Sequence, residues 1–128
     1  MEKLTSPTVI RSVLAAHGVE LRKSLGQHFL ADANTLDRIL DAILPVQEEV
    51  AVEIGAGIGT LTVALAPHVK ELWAVEVDSR LIPILRAHTE KFPNVHVLPQ
   101  DFRDLDLGSF GKNLLLVGNL PYGITSEV

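Results

Sequence analysis

The stretch Val50-Ala51-Val52-Glu53-Ile54-Gly55-Ala56-Gly57-Ile58-Gly59 decides the fold of this chain. Val50–Ile54 is a short, mostly apolar run, and the glycines behind it favour a strand buried on both faces over a buried helix. Gly55, Gly57 and Gly59 allow a sharp turn whose backbone N–H groups approach a ligand with no side chain between. Thr60–Ala66 then reads as a helix closed by Pro67. The plain reading of such a turn is a tight strand-to-helix connection. The flanking strand and helix, with an acidic residue about 20 positions on, favour a nucleotide-like cofactor site instead. Thr60 stands where the dinucleotide fingerprint has its third glycine, and no Gly-Lys-Ser/Thr follows, so neither a nicotinamide nor a triphosphate loop is well matched.

Outward from this stretch the pattern alternates. Leu72–Val77 is predicted as the second strand. A helix capped by Ser79 follows, with Pro83 in its first turn, and Val95–Leu98 and Leu114–Val117 are the third and fourth strands. Near-continuous apolar strands separated by helices imply an α/β fold with right-handed crossovers and a parallel, doubly wound sheet. Upstream, Ser6 and Pro7 open a helix running to about His17, with Gly18 as its stop. Arg22–Leu30 reads as a loop. A second helix is capped by Asp32 and runs through Leu36, Ile39, Leu40 and Ile43 to Pro45. Residues 1–45 are thus an N-terminal helical segment, and residues 46–128 a partial cofactor-binding domain. The chain ends at Ser126-Glu127-Val128, where a helix after the fourth strand is expected to begin. That strand would be an open apolar edge, so the sheet reads as truncated there or as paired with another subunit.

Composition sets bounds. The 128 residues are 47% hydrophobic and 21% charged, which fits one globular domain. Without cysteine there is neither a disulfide framework nor a thiolate metal site. His17, His28, His68, His88 and His96 form no close ligand pair and read as scattered surface or core residues, so no metal is expected. No run approaches a membrane span, no signal-peptide pattern opens the chain, and a cytoplasmic location is expected. The net charge of -5 argues against strong nucleic-acid binding by this chain alone. Residues 1–30 carry a local excess of basic groups through Lys3, Arg11, Arg22 and Lys23, which suits phosphate contact or a solvated face equally.

Three further positions point to chemistry. Glu76, near the end of the second strand, stands where a ribose-binding carboxylate is expected; a solvated strand end is the alternative. Gln100-Asp101-Phe102 follows the third strand, where the carboxylate can accept from an adenine amine with Phe102 packed nearby, or simply form a polar loop. Asn119-Leu120-Pro121-Tyr122 follows the fourth strand and is the most specific signal. The amine of adenine is a poor nucleophile because its lone pair is delocalised into the ring. The Asn119 side-chain oxygen and the Leu120 or Pro121 carbonyl can accept its two N–H bonds, while Tyr122 stacks on the base.

Together these motifs resemble the ribosomal RNA adenine N6,N6-dimethyltransferases, the kasugamycin-sensitivity methyltransferases of the small subunit. The matching pieces are Ser24-Leu25-Gly26-Gln27-His28-Phe29-Leu30, Val52 to Gly59, Val75-Glu76-Val77-Asp78, Gln100-Asp101 and Gly118-Asn119-Leu120-Pro121-Tyr122-Gly123-Ile124. The resemblance implies a Rossmann-like methyltransferase domain using S-adenosylmethionine (SAM). Its expected cofactor contacts are His28 and Leu30 in the N-terminal loop, Gly55 and Gly57 in the turn, Glu76 on the ribose, Asp101 on the adenine and Asn119. Asn119, Leu120, Pro121 and Tyr122 are the expected catalytic residues, between cofactor and target base. Adjacent adenines near the 3′ end of small-subunit ribosomal RNA are the implied substrate, each receiving two methyls. The resemblance also implies a helical C-terminal domain, which is expected to be absent from this sequence. His28 stands where asparagine is common, and Gly123 where a second asparagine often stands. Competing expectations are a large-subunit ribosomal RNA or DNA adenine methyltransferase, and a non-catalytic assembly factor that binds ribosomal RNA.

Overall fold

A computed structural model describes residues 4–19, 33–43, 50–110, 114–120 and 123–126. Its elements run α1 (Pro7–Ala16), α2 (Ala33–Ile43), β1 (Val50–Ile54), α3 (Thr60–Leu65), β2 (Glu71–Val75), α4 (Ile82–Thr89), β3 (Val95–Leu98), β4 (Leu114–Leu120) and β5 (Gly123–Ser126). The strands form one sheet in the order β3-β2-β1-β4-β5, with β1 to β4 mutually parallel. The expected doubly wound α/β architecture is present.

Alternation along each strand sorts the core. Ala51, Leu72 and Val117 face α2 and α3, meeting Ile39, Ile43, Leu61 and Leu65. Val52, Ile54, Val75 and Leu114 lie on the other face, against Trp73, Leu105 and Phe110. Strands covered on both faces need apolar residues at consecutive positions, which is why β1 reads as a continuous run. Helix α1 is capped by the Ser6 hydroxyl, which accepts from the Val9 N–H at 3.4 Å. Its Ile10, Val13 and Leu14 pack on Ile58, Leu81 and Ile84, joining the glycine turn to α4.

Four expectations are corrected. The fourth strand is not a bare edge at which the sheet stops: β5 pairs antiparallel with β4, Asn119 opposite Ile124 and Leu120 opposite Gly123. A two-residue connection permits only an antiparallel return, and Ile124-Thr125 supplies β-branched residues for it. Asn119 and Leu120 consequently lie within β4 rather than beyond it. The second strand ends at Val75, so Glu76 and Val77 begin the following loop, and Val77 is 68% exposed. Ser79 does not cap the next helix. The Asp78 carboxylate accepts from the Arg80 N–H and the Asp78 carbonyl from the Leu81 N–H, forming a turn. Helix α4 starts only at Ile82, which places Pro83 in the first turn, where its missing N–H costs nothing.

Candidate functional site

Sheet order locates the site before any side chain does. From β1 the chain moves to β2 and β3 on one side, then returns to place β4 on the other. Crossovers leave β1 in opposite directions at this point, so a crevice opens beyond the carboxyl ends of β1 and β4, where open α/β sheets bind ligands. Ile54 is level with Val75 on one side and with Gly118 on the other. Gly55, Glu76 and Asn119 are therefore the first residues past one line across the sheet. Asp101, three residues after Leu98, follows at the same edge.

The turn from Gly55 to Gly59 has the conformation that its glycines allow. Gly55, Gly57 and Gly59 have φ of 72°, 62° and 97°, in the left-handed region where a side chain is strained. The Gly55 and Ala56 N–H groups both donate to the Val75 carbonyl, at 2.9 and 3.0 Å. The Gly57 N–H donates to Glu76 Oε1 at 2.7 Å, and the Asp78 N–H to Glu76 Oε2 at 2.9 Å. Glu76 is thus fixed between the first glycine turn and its own loop, and each oxygen keeps a lone pair for a ligand hydroxyl. A carboxylate seated on this turn repels phosphate, whereas a phosphate-binding glycine loop leaves its N–H groups open to the anion. The local charge suits a neutral or cationic ligand.

Beneath the turn lies Glu53, buried on the α3 side of β1 and 1% exposed. The Thr62 hydroxyl donates to its Oε1 at 2.6 Å. Burial pushes the Glu53 carboxyl up to about 8, the Thr62 bond opposing and the nearby Glu76 charge adding to the rise. Glu53 is a neutral acid at pH 7, a state its place in an apolar strand hints at but does not settle.

Asp101 is tied to its own loop. Its carboxylate accepts from the Arg103 N–H at 2.9 Å and takes the Arg103 guanidinium as a fork, with Nη2 2.6 Å from Oδ2. These bonds from Arg103 lower its carboxyl to about 2. Arg103 is therefore the partner that orients Asp101. Phe102 and Val77, next to the two candidate carboxylates, are the large hydrophobic residues left exposed among the described residues. Of Asn119 and Leu120 the backbone alone is described, while His28, Leu30, Pro121 and Tyr122 lie outside the described residues. Two contributors escaped the sequence reading. Thr62 gives no signal beyond its place in α3. His88, 30 residues from the turn, donates to the Ile58 carbonyl across 2.6 Å. Among the described residues no group of three or more His, Asp or Glu side chains is placed to hold a metal, and no helix is long and apolar enough to cross a membrane.

Comparison with known proteins bears on the whole chain. Residues 18–128 match the family model described as ribosomal RNA adenine dimethylase. Ribosomal RNA small subunit methyltransferase A of Alkaliphilus oremlandii is 36% identical over 134 residues, covering 100% of this chain and 47% of the relative. The protein of the same name from Streptococcus uberis is 41% identical over 133 residues, covering 98% and 46%. Among solved structures, a dimethyladenosine transferase from Plasmodium falciparum superposes with a TM-score of 0.60 at 29% identity, covering 70% of this chain and 32% of that one. The chain spans about half the length of the curated relatives it matches.

Proposed function

Because this chain belongs to the ribosomal RNA adenine dimethylase family, we propose that it is the cofactor-binding part of an enzyme that dimethylates adenine N6 in small-subunit ribosomal RNA, using SAM. The observation that carries this reading is the seat of Glu76 on the Gly57 N–H, at the switch point of the sheet. SAM brings two ribose hydroxyls, an adenine and a sulfonium cation. Glu76 has one free lone pair on each oxygen for the hydroxyls, the turn repels phosphate but not a cation, and Val77 and Phe102 offer apolar surface to the adenine. The residues present fit the group.

When bound, SAM supplies a methyl on an electrophilic sulfonium, so the protein contributes position more than chemistry. Well-oriented reactants gain roughly 7–11 kcal/mol from such positioning. Glu76 anchors the ribose, Asp101 accepts from the adenine amine, and Gly55 lets the methionine part approach the backbone. His28 and Leu30 are the further cofactor contacts of this reading. Asn119 stands level with the turn across β1 and β4, as the first residue beyond Gly118, and accepts from the N6 amine of the target base. Leu120 or Pro121 takes the second N–H through its carbonyl, and Tyr122 stacks on the ring. These contacts hold the nitrogen lone pair out of conjugation and on line with the methyl. The target adenines, adjacent and near the 3′ end of the RNA, must leave their stack to reach the cleft. A cytoplasmic setting follows from a ribosomal substrate.

The test is methyl transfer from radiolabelled SAM to small ribosomal subunits lacking the modification, with large subunits and duplex DNA as comparison substrates. Label confined to dimethyladenosine in the small-subunit RNA supports the reading. Label on either comparison substrate alone removes it. Asn119→Ala should abolish transfer while SAM affinity stays within a few-fold, and unchanged turnover would take Asn119 out of the mechanism.

A further inference from the structure

The peptide between Ile58 and Gly59 is held at both ends. Its N–H, on Gly59, donates back to the Ala56 carbonyl at 3.0 Å. Its carbonyl, on Ile58, is 2.6 Å from His88 Nδ1 in the last turn of α4. A carbonyl only accepts, so Nδ1 carries the proton, and this is the atom that a neutral histidine in the other tautomer would leave bare. The ring comes close because α4 packs directly on the turn. A Cβ at Gly59 would stand 3.2 Å from Leu85 Cδ1 and 3.7 Å from His88 Cβ. The Ile58 side chain, 1% exposed, is packed by α1 and α4 and cannot follow a rotating backbone.

A glycine-rich turn has one soft motion, rotation of a peptide plane between neighbouring φ/ψ wells, and a glycine beside the plane, here Gly59, makes it cheap. The plane at 58–59 lies two peptide planes beyond the one that carries the Gly57 N–H, which holds Glu76. We infer that His88 is a positioning residue for the cofactor turn, its Nδ1–H locking the Ile58–Gly59 peptide so that Gly57 stays aimed at Glu76. The inference rests on the reading of this turn as the SAM site. It adds a determinant from α4. His88 touches no reacting atom, and its effect is on binding rather than on the methyl-transfer step.

The test uses S-adenosylhomocysteine as the probe, with three measurements. In the wild-type chain, the ¹⁵N signals of the His88 ring should report a protonated Nδ1. Calorimetry should show binding to His88→Leu weakened by about 3- to 10-fold, the worth of one hydrogen bond. His88→Asn should restore it, since its amide nitrogen is attached, like Nδ1, to Cγ. Hydrogen exchange of the Gly59 amide should quicken in the leucine variant and recover in the asparagine one. A wild-type ring protonated only at Nε2 would overturn the inference. So would leucine and asparagine variants that both bind as wild type with the Gly59 amide unchanged. If the wild type binds no S-adenosylhomocysteine, the cofactor reading fails, and the ring tautomer and Gly59 exchange still decide the clamp. If His88→Leu does not fold, the tautomer and the asparagine variant decide it.

Discussion

Replacing Glu53 with glutamine tests the electrostatics under the turn most directly. The carboxyl is raised from 4.5 to about 8 by burial. A group raised in the folded state binds its proton more tightly there than in the unfolded chain. Its contribution is fully present below pH 4.5, declines as the unfolded carboxyl ionises, and is lost once pH passes about 8. At 1.36 kcal/mol per unit, the whole window is worth about 5 kcal/mol, and the part accumulated by pH 7 about 3 kcal/mol. Glutamine keeps an oxygen for the Thr62 hydroxyl and cannot ionise in either state. Glu53→Gln should therefore match wild type near pH 4.5 and exceed it by about 3 kcal/mol at pH 7. Urea unfolding of both proteins at half-unit steps from pH 4.5 to 8.5 measures this, because other carboxylates contribute the same slope to each and cancel in the difference. Parallel profiles, or a variant no more stable than wild type at pH 8, would refute the claim that Glu53 is folded as a neutral acid.

Three other outcomes are expected. Glu76→Ala removes the acceptor for both Gly57 and the ribose and should weaken SAM binding by about 1.5–3 kcal/mol, the scale of charged hydrogen bonds, as read by calorimetry; unchanged affinity would end that role. Gly59→Ala forces a side chain into the left-handed region at roughly 1–2 kcal/mol and against Leu85, so the unfolding free energy from thermal denaturation should fall by at least that amount. Arg103→Ala takes away the fork that lowers Asp101 to about 2, so a carboxyl ¹³C titration should move Asp101 back toward 3.8; a value that stays near 2 would show that Arg103 is not the cause.

How much was legible differs by residue. Gly55, Gly57 and Gly59 announce a left-handed turn because no other residue takes those φ values freely, and all three have them. Glu76 was expected within the second strand; pairing with β1 ends that strand at Val75 and leaves Glu76 just past the sheet edge. Ser79 misled because a cap is a local motif, while the start of α4 answers to where Pro83 can sit without losing a backbone hydrogen bond. Strand β5 was missed because four residues starting with glycine carry too little periodicity to stand out, and pairing with β4 forms them.

By itself the amino-acid sequence determined the α/β alternation, the glycine turn, the carboxylates at the strand ends and the family, since each is written in residues close along the chain. Tertiary structure alone decided the charge state of Glu53, the closure of β4 by β5 and the reach of His88 to Ile58. Desolvation and hydrogen-bond geometry depend on which groups folding brings within about 3 Å of one another, and spacing along the chain does not encode that distance.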